Sequence, residues 1–336
     1  MLRHFVSDLD LSVSEHTQVI DLARKLKKDP KKYRYALDGK TLAMIFQKSS
    51  TRTRVSFESG MLQLGGHAIY LSAKDIQLGR GEPISDTGQV LSRYLDLIMI
   101  RTFGHDEVEN LAKAATVPVI NGLDDLLHPC QALADVQTIV EHKSTAKGQQ
   151  LVFVGDGNNV ANSLMLAGAR HGMHVRVVAP NGYLPQPAIV ELARKEAAAT
   201  GARIEVTSDL AGVDGADVVY TDVWASMGQE AEANKRKEAF KGFIVDGALM
   251  ARAKKDAIFM HCLPAHRGEE VGAEVIDGPQ SVIFDEAENR LHAQKALMLF
   301  LMTAKAEVAK KAKTKAKVAK KVVKAKVKAK GKKAKR

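Results

Sequence analysis

The chain has 336 residues, 45% hydrophobic and 26% charged, with 50 Lys and Arg against 39 Asp and Glu and a formal net charge of +11. Such a length supports two domains, each with its own core, and no unbroken apolar run reaches the roughly 20 residues that a bilayer span needs. Acids occupy the start, MLRHFVSDLDLS, where an export signal carries its apolar stretch, so a cytoplasmic protein is expected.

In chain order, TLAMIF, HAIYLS, LDLIMIRT and VPVING read as strands, alternating with the helical stretches STRTRVSFESGMLQLG, ISDTGQVLSRYL and DEVENLAKAA. A helix, PCQALADVQTIVEH, leads to KSTAKGQQ, where a domain boundary is placed. The pattern then restarts with QLVFVGDG, HVRVVAP, RIEVTS, DVVYTDV and AIFMHCLP, and a final apolar helix, AENRLHAQKALMLFLM, can pack back on the first unit. The alternation predicts an α/β protein: two doubly wound parallel-sheet domains joined by interdomain helices. The expected divisions are 1–142, 148–288, a returning helix over 289–303, and a basic tail over 304–336.

From Ala304 onward the chain holds 15 Lys and 1 Arg against Glu307, a charge of +15, which leaves 34 basic against 38 acidic residues, or −4, for the body. A Lys/Ala/Val repeat without aromatics cannot bury enough apolar surface to offset its ordering, so the tail is expected to be disordered by itself. It resembles the lysine-rich tails of linker histones. Weak contact with nucleic acid or another polyanion is the property it could add. Such retention should fall steeply with salt and disappear on truncation after Met302, and retention that ignores salt would refute it.

Ser50, Thr51, Arg52, Thr53 and Arg54 follow the first strand and open a helix. A helix N-terminus offers free backbone N–H groups and the positive end of the dipole, the hydroxyls add donors, and an arginine can fork onto two oxygens. Serine and threonine also cap helices with no ligand involved. Two arginines in the first turn, where the dipole opposes cations, go beyond capping and point to an anion such as a phosphate. His128 precedes Pro129, which keeps it extended and able to face a crevice. Gln131 lies one turn on, and Arg101 closes a strand, where ligands of open α/β sheets gather.

In the second unit, GDGNN after a strand could suggest a dinucleotide loop. Ala161 and Asn162 stand where the third glycine belongs, and HVRVVAP lacks the acid that holds a ribose, so no cofactor is expected. The same loops suit an amino acid: Asp222 for an α-ammonium, with Ser226 and Asn159 for the carboxylate. Cys130 and Cys262 lie far apart and outside any C-x-x-C pattern, which argues against a disulfide framework and a structural zinc site. His261 and Cys262, as neighbours on a strand, are expected on opposite faces, so no metal is predicted. Asp156 and Glu58 read as structural partners.

SSTRTR, Arg101 and HPCQALAD together resemble the carbamoyl phosphate domain of the aspartate/ornithine carbamoyltransferase family, and Asp222 to Gly228 (D-x-x-x-S-M-G) with HCLP resembles its ornithine-specific branch. The resemblance runs from about residue 2 to residue 303. It implies carbamoyl phosphate on Ser50, Thr51, Arg52, Thr53, Arg101, His128, Pro129, Cys130, Gln131 and Arg290, with Gln77 reaching a neighbouring subunit. It implies L-ornithine on Asn159, Asp222, Ser226, Met227, Cys262 and Leu263. Catalytic roles fall to Arg52, Arg101, His128 and Cys262, the last positioning the amine. Also implied are citrulline as product, a biosynthetic direction, and a homotrimer or an assembly of trimers. Acetylornithine and putrescine are the alternative acceptors.

Overall fold

The computed structural model describes residues 2–225, 228 and 230–303; the tail over 304–336, and Ser226 and Met227, lie outside the described residues. Two wholly parallel sheets carry the fold. The first takes β1 (Thr41–Phe46), β2 (His67–Ser72), β3 (Leu97–Arg101) and β4 (Val119–Leu123) in the order β2-β1-β3-β4. The second takes β5 (Gln150–Val154), β6 (His174–Val178), β7 (Ile204–Thr207), β8 (Val218–Thr221) and β9 (Ile258–His261) in the order β7-β6-β5-β8-β9. The central strands β1, β3, β5 and β8 are buried almost throughout, as apolar runs covered by helices on both faces must be. The edge strand β2 is half exposed.

In each sheet the chain winds outward from one strand and then returns to its other side. The crevice between β1 and β3, and that between β5 and β8, are therefore the switch points where ligands enter such sheets. Helix α1 (Val13–Lys28), which the sequence reading passed over, opens with a capping box of Ser12 and Glu15. Helices α2 (Thr51–Gln63), α3 (Ile84–Leu91) and α4 (His105–Ala114) surround the first sheet; α6 (Asn159–His171), α7 (Pro187–Ala198), α8 (Ala233–Ala239), α9 (Gly247–Met250) and α10 (Ala273–Ile276) belong to the second.

Two helices join the units. One is α5 (Pro129–Lys143), buried from Pro129 to Ile139; the other, α11, covers 283–303 and so begins ahead of the expected 289. One apolar cluster runs through both units, with Phe57, Leu133, Phe153, Leu164 and Leu297 all buried in it. Polar bonds fix the two helices: Asn289 Nδ2 donates to Thr138 Oγ1 (2.9 Å) and accepts, at Oδ1, from Gln137 Nε2 (2.9 Å). Lys295 reaches Gln63 at 2.8 Å, tying α11 to α2. The carboxyl ends of both sheets thus face each other across one cleft. Among the described residues no helix is long and apolar enough to cross a membrane.

Candidate active site

The cleft holds a cavity of about 1170 Å³ between the two switch points. On its first side Ser50 caps α2 from an extended conformation, its Oγ accepting from the Thr53 N–H at 3.2 Å. Capping is real, therefore, yet the first turn carries no acid, and Ser50, Thr51, Arg52 and Thr53 all line the cavity. The two arginines part company. Arg52 lines the cavity, whereas Arg54 turns outward, 3.9 Å above the Tyr70 ring and 3.5 Å from Glu58.

Arg101, at the end of β3, is buried with its Nε unpartnered. Burial first, and then neighbouring Arg290, hold its pKa down to about 9. Arg290 reaches in from α11: it donates to Gln131 Oε1 (2.7 Å), Thr53 Oγ1 (3.2 Å) and Gln294 Oε1 (2.9 Å). His128 is the N-cap residue of α5, kept non-helical at φ −131° and ψ 61°. Its backbone N–H donates to Ser163 Oγ (2.9 Å), and its buried Nδ1 has no partner. Burial, then the Arg290, Arg101 and Arg52 charges, push its pKa well below the usual histidine value, so the imidazole is neutral. Lys48, absent from the sequence reading, adds another cation. It is buried, paired with Asp125 and 4.5 Å over the Phe103 ring.

The opposite wall is acidic. Asp222, just past β8, is buried, and its carboxylate accepts from Asn158 Nδ2 (2.8 Å) and Cys262 Sγ (3.1 Å). Asn158 also caps α6, its Oδ1 accepting from Val160 and Ala161 N–H. Its neighbour Asn159, the residue expected here, lines the cavity but donates to the Asp124 carbonyl at 2.5 Å. Burial, then Asp222, push the Cys262 thiol well up; it stays protonated and donates to the carboxylate. Leu263 adopts φ 60°, uncommon for a side-chain-bearing residue, and its N–H donates to His261 Nδ1 (2.9 Å). Asp156 pairs with Arg236 (2.7 Å), as a structural partner should.

The cavity thus gathers Ser50, Thr51, Arg52, Thr53, Arg101, His128, Asn159, Asp222, Cys262, Leu263 and Arg290. Four expected residues do not line it. Pro129 is buried in the first turn of α5, and Cys130 donates to the Asn121 carbonyl (3.3 Å) with its thiol pushed up to about 12 by burial, so both belong to the core. Gln131 lies behind Arg290, and Gln77 is exposed on a separate turn.

Two further readings meet the geometry. Asp222, His261 and Cys262 bring donor atoms within 4.8 Å of one another, which corrects the expectation of opposite faces: β9 ends at His261, so strand alternation does not extend to Cys262. Both His261 nitrogens are nevertheless engaged, Nδ1 by the Leu263 N–H and Nε2 by Glu270 at 3.3 Å. The GDGNN loop is covered by another segment. Gly157 donates to the Tyr183 carbonyl (2.8 Å), and a Cβ there would fall on the Pro185 backbone, so this glycine serves close packing.

A two-lobed α/β fold with a cationic, hydroxyl-rich anion cradle facing a buried carboxylate defines a group transferase, built to bring a phosphorylated donor against an amine. Residues 3–141 match the carbamoyl-P binding domain, and residues 147–301 the Asp/Orn binding domain, of aspartate/ornithine carbamoyltransferases. The chain belongs to that family. It is 59% identical over 303 residues to the ornithine carbamoyltransferase of Oceanobacillus iheyensis, covering 89% of this chain and 94% of the relative. With the anabolic ornithine carbamoyltransferase of Pyrococcus furiosus it shares 61% over 267 residues, 79% of this chain and 85% of the other. The solved structure of ornithine carbamoyltransferase from Pyrococcus furiosus superposes with a TM-score of 0.87 at 55% identity, over 90% of this chain and 97% of that one.

Proposed function

We propose that the protein transfers the carbamoyl group of carbamoyl phosphate to the side-chain amine of L-ornithine, giving L-citrulline and phosphate, in the biosynthetic direction. One observation carries this reading: the cations and the N-terminal turn of α2 at the first switch point share a single cavity with Asp222 and Cys262 at the second.

The α2 N-terminus, Ser50, Thr51, Arg52 and Thr53 take the phosphate, with Arg101 as a buried second cation. Neutral His128 offers a ring N–H to the carbonyl oxygen, which gains negative charge as the amine attacks. An imidazolium among three guanidiniums would be far costlier, and its burial explains the neutral form. Asp222 holds the α-ammonium of ornithine, and Asn159 and Leu263, with Ser226 and Met227 as proposed partners, complete the acceptor site. The free amine has a reference pKa of about 10.4, like that of lysine. Arg52, Arg101 and desolvation all disfavour its protonated form, so the site itself favours the nucleophile. Cys262, a protonated thiol on Asp222, positions the amine and forms no covalent intermediate.

Gln77, exposed and remote from its own cavity, is proposed to serve that of a neighbouring copy in a homotrimer or assembly of trimers. Exposed Val55 and Leu62, which line one shallow depression on α2 beside Tyr70, support association. A solution mass of one chain would refute it. A cytoplasmic location, checked by cell fractionation, and polyanion contact through 304–336 complete the proposal.

Citrulline formation and phosphate release against ornithine, acetylornithine, putrescine and aspartate test the reaction. Turnover is expected with ornithine; preference for any of the other three overturns the acceptor assignment.

A further inference from the structure

Behind the cavity, where the two lobes meet, lies a buried pair of acids that the reaction does not use directly. Asp135 stands one turn after Gln131 on α5; Glu286 stands on α11; both are fully buried. Gln131 Nε2 donates to both, at 2.8 Å to Asp135 Oδ1 and 2.9 Å to Glu286 Oε1. Glu286 Oε1 also accepts from Tyr220 OH (2.9 Å), and its Oε2 accepts from the His261 N–H (2.9 Å). Both Glu286 oxygens therefore act as acceptors. Asp135 Oδ2 accepts from no N–H or O–H group. Two carboxyls bridged by one amide and both out of water cannot both stay ionised without a large cost, and the open Oδ2 of Asp135 is where a retained proton fits.

We propose that Asp135 carries this proton on Oδ2 and donates it to Glu286, and that the resulting acid–carboxylate pair is a positioning device for Gln131. With both hydrogens of its amide committed to the pair, Gln131 can only turn Oε1 outward, toward Arg290. That oxygen accepts from Arg290 Nη1 at 2.7 Å and so holds the guanidinium that lines the donor side of the cavity; a flipped amide would set N–H against N–H. Because Glu286 is bonded to Tyr220 on β8 and to the end of β9, the device also ties Arg290, through Gln131, to the lobe that carries Asp222 and Cys262. The groups facing it are Arg290 on α11, Tyr220 on β8, and Asp222 and Cys262 beyond β8 and β9. Burial, then the Glu286 charge, raise the Asp135 pKa well above the usual range, in keeping with a retained proton. The inference rests on the proposed donor site.

The test is an asymmetry between two isosteric changes. In Asp135→Asn the amide NH2 replaces the O–H and Oδ1 still accepts, so KM for carbamoyl phosphate should stay within about threefold of the parent. Glu286→Gln puts a donor against Gln131, Tyr220 or the His261 N–H, and Asp135→Leu removes the proton; each should raise that KM about tenfold or more. At alkaline pH the parent's KM for carbamoyl phosphate should climb as the shared proton is lost, while Asp135→Asn stays flat. Burial pushes the carboxyls of Asp8, near the N-terminus, and Glu286 up to about 7, so at higher pH an infrared C=O band of an un-ionised carboxylic acid should remain in the parent protein and be absent in Asp135→Asn. Equal damage from Asp135→Asn and Glu286→Gln, or no such band, overturns the proposal. Should the leucine variant not fold, the band and the two isosteres decide. A parent enzyme that makes no citrulline would sink the donor-site reading instead, and the band would still report on the proton.

Discussion

Replacing Arg101 by alanine is expected to lower kcat/KM for carbamoyl phosphate by about 10³-fold, or about 4 kcal/mol, the upper end for one well-aimed donor in a dry site. The size follows from burial. Arg101 lies at the end of a fully buried strand, lacks a partner at Nε, and is held below its ordinary pKa by burial and then by Arg290. Such a cation weakens the empty protein and gains its return when the donor arrives. The substitution should therefore leave the thermal midpoint of the unliganded enzyme unchanged or raise it, since a buried uncompensated charge is removed. Inorganic phosphate should stabilise the parent protein and stabilise Arg101→Ala much less. Arg101→Lys should recover little, because a point charge cannot fork onto two oxygens. Steady-state kinetics with thermal scans, with and without phosphate, check all of this; a large drop in midpoint would make Arg101 a structural residue.

The anion cradle was legible because its signals are local. SSTRTR places cap, hydroxyls and arginine within one helical turn after a strand, and the strand's period announces the crevice beside it. What the sequence could not separate were neighbours with equal chemistry. Arg52 and Arg54 differ only by where the helix turns them, inward or onto Tyr70. Asn158 and Asn159 differ by one position at a helix boundary, and the cap, not its neighbour, holds Asp222. Cys130 sits inside a binding motif yet faces the core, because of that motif only His128, the cap ahead of α5, lines the cavity. The Gln131 partners divide the same way: Asp135 is visible at four residues' spacing, while Glu286 lies 155 residues away and is brought in by packing alone. Helix α1 was missed although Ser12 and Glu15 spell its cap, because the strand pattern that drew the reading begins after it.

Replacing Asp222, the proposed partner of the acceptor's α-ammonium, by alanine should raise KM for ornithine on the order of 10²-fold, about 3 kcal/mol, while KM for carbamoyl phosphate moves little. The carboxylate is buried, bonded to Asn158 and to the Cys262 thiol, and stands on the lobe opposite the cations. An α-ammonium brought there meets a charge already stripped of water, so the loss should show in binding more than in turnover. The change reaches the thiol as well. Burial is the main reason Cys262 is held protonated, and Asp222 is the next; without the carboxylate the thiol pKa should fall, though burial keeps it above the ordinary value. Cys262 in Asp222→Ala should thus react faster with a thiol reagent at alkaline pH than in the parent, in the absence of ornithine. Asp222→Asn keeps the shape and loses the charge, so it should share the ornithine defect if an ion pair is at work. An unchanged ornithine dependence in both variants would remove Asp222 from the acceptor site and with it the division of labour between the two lobes.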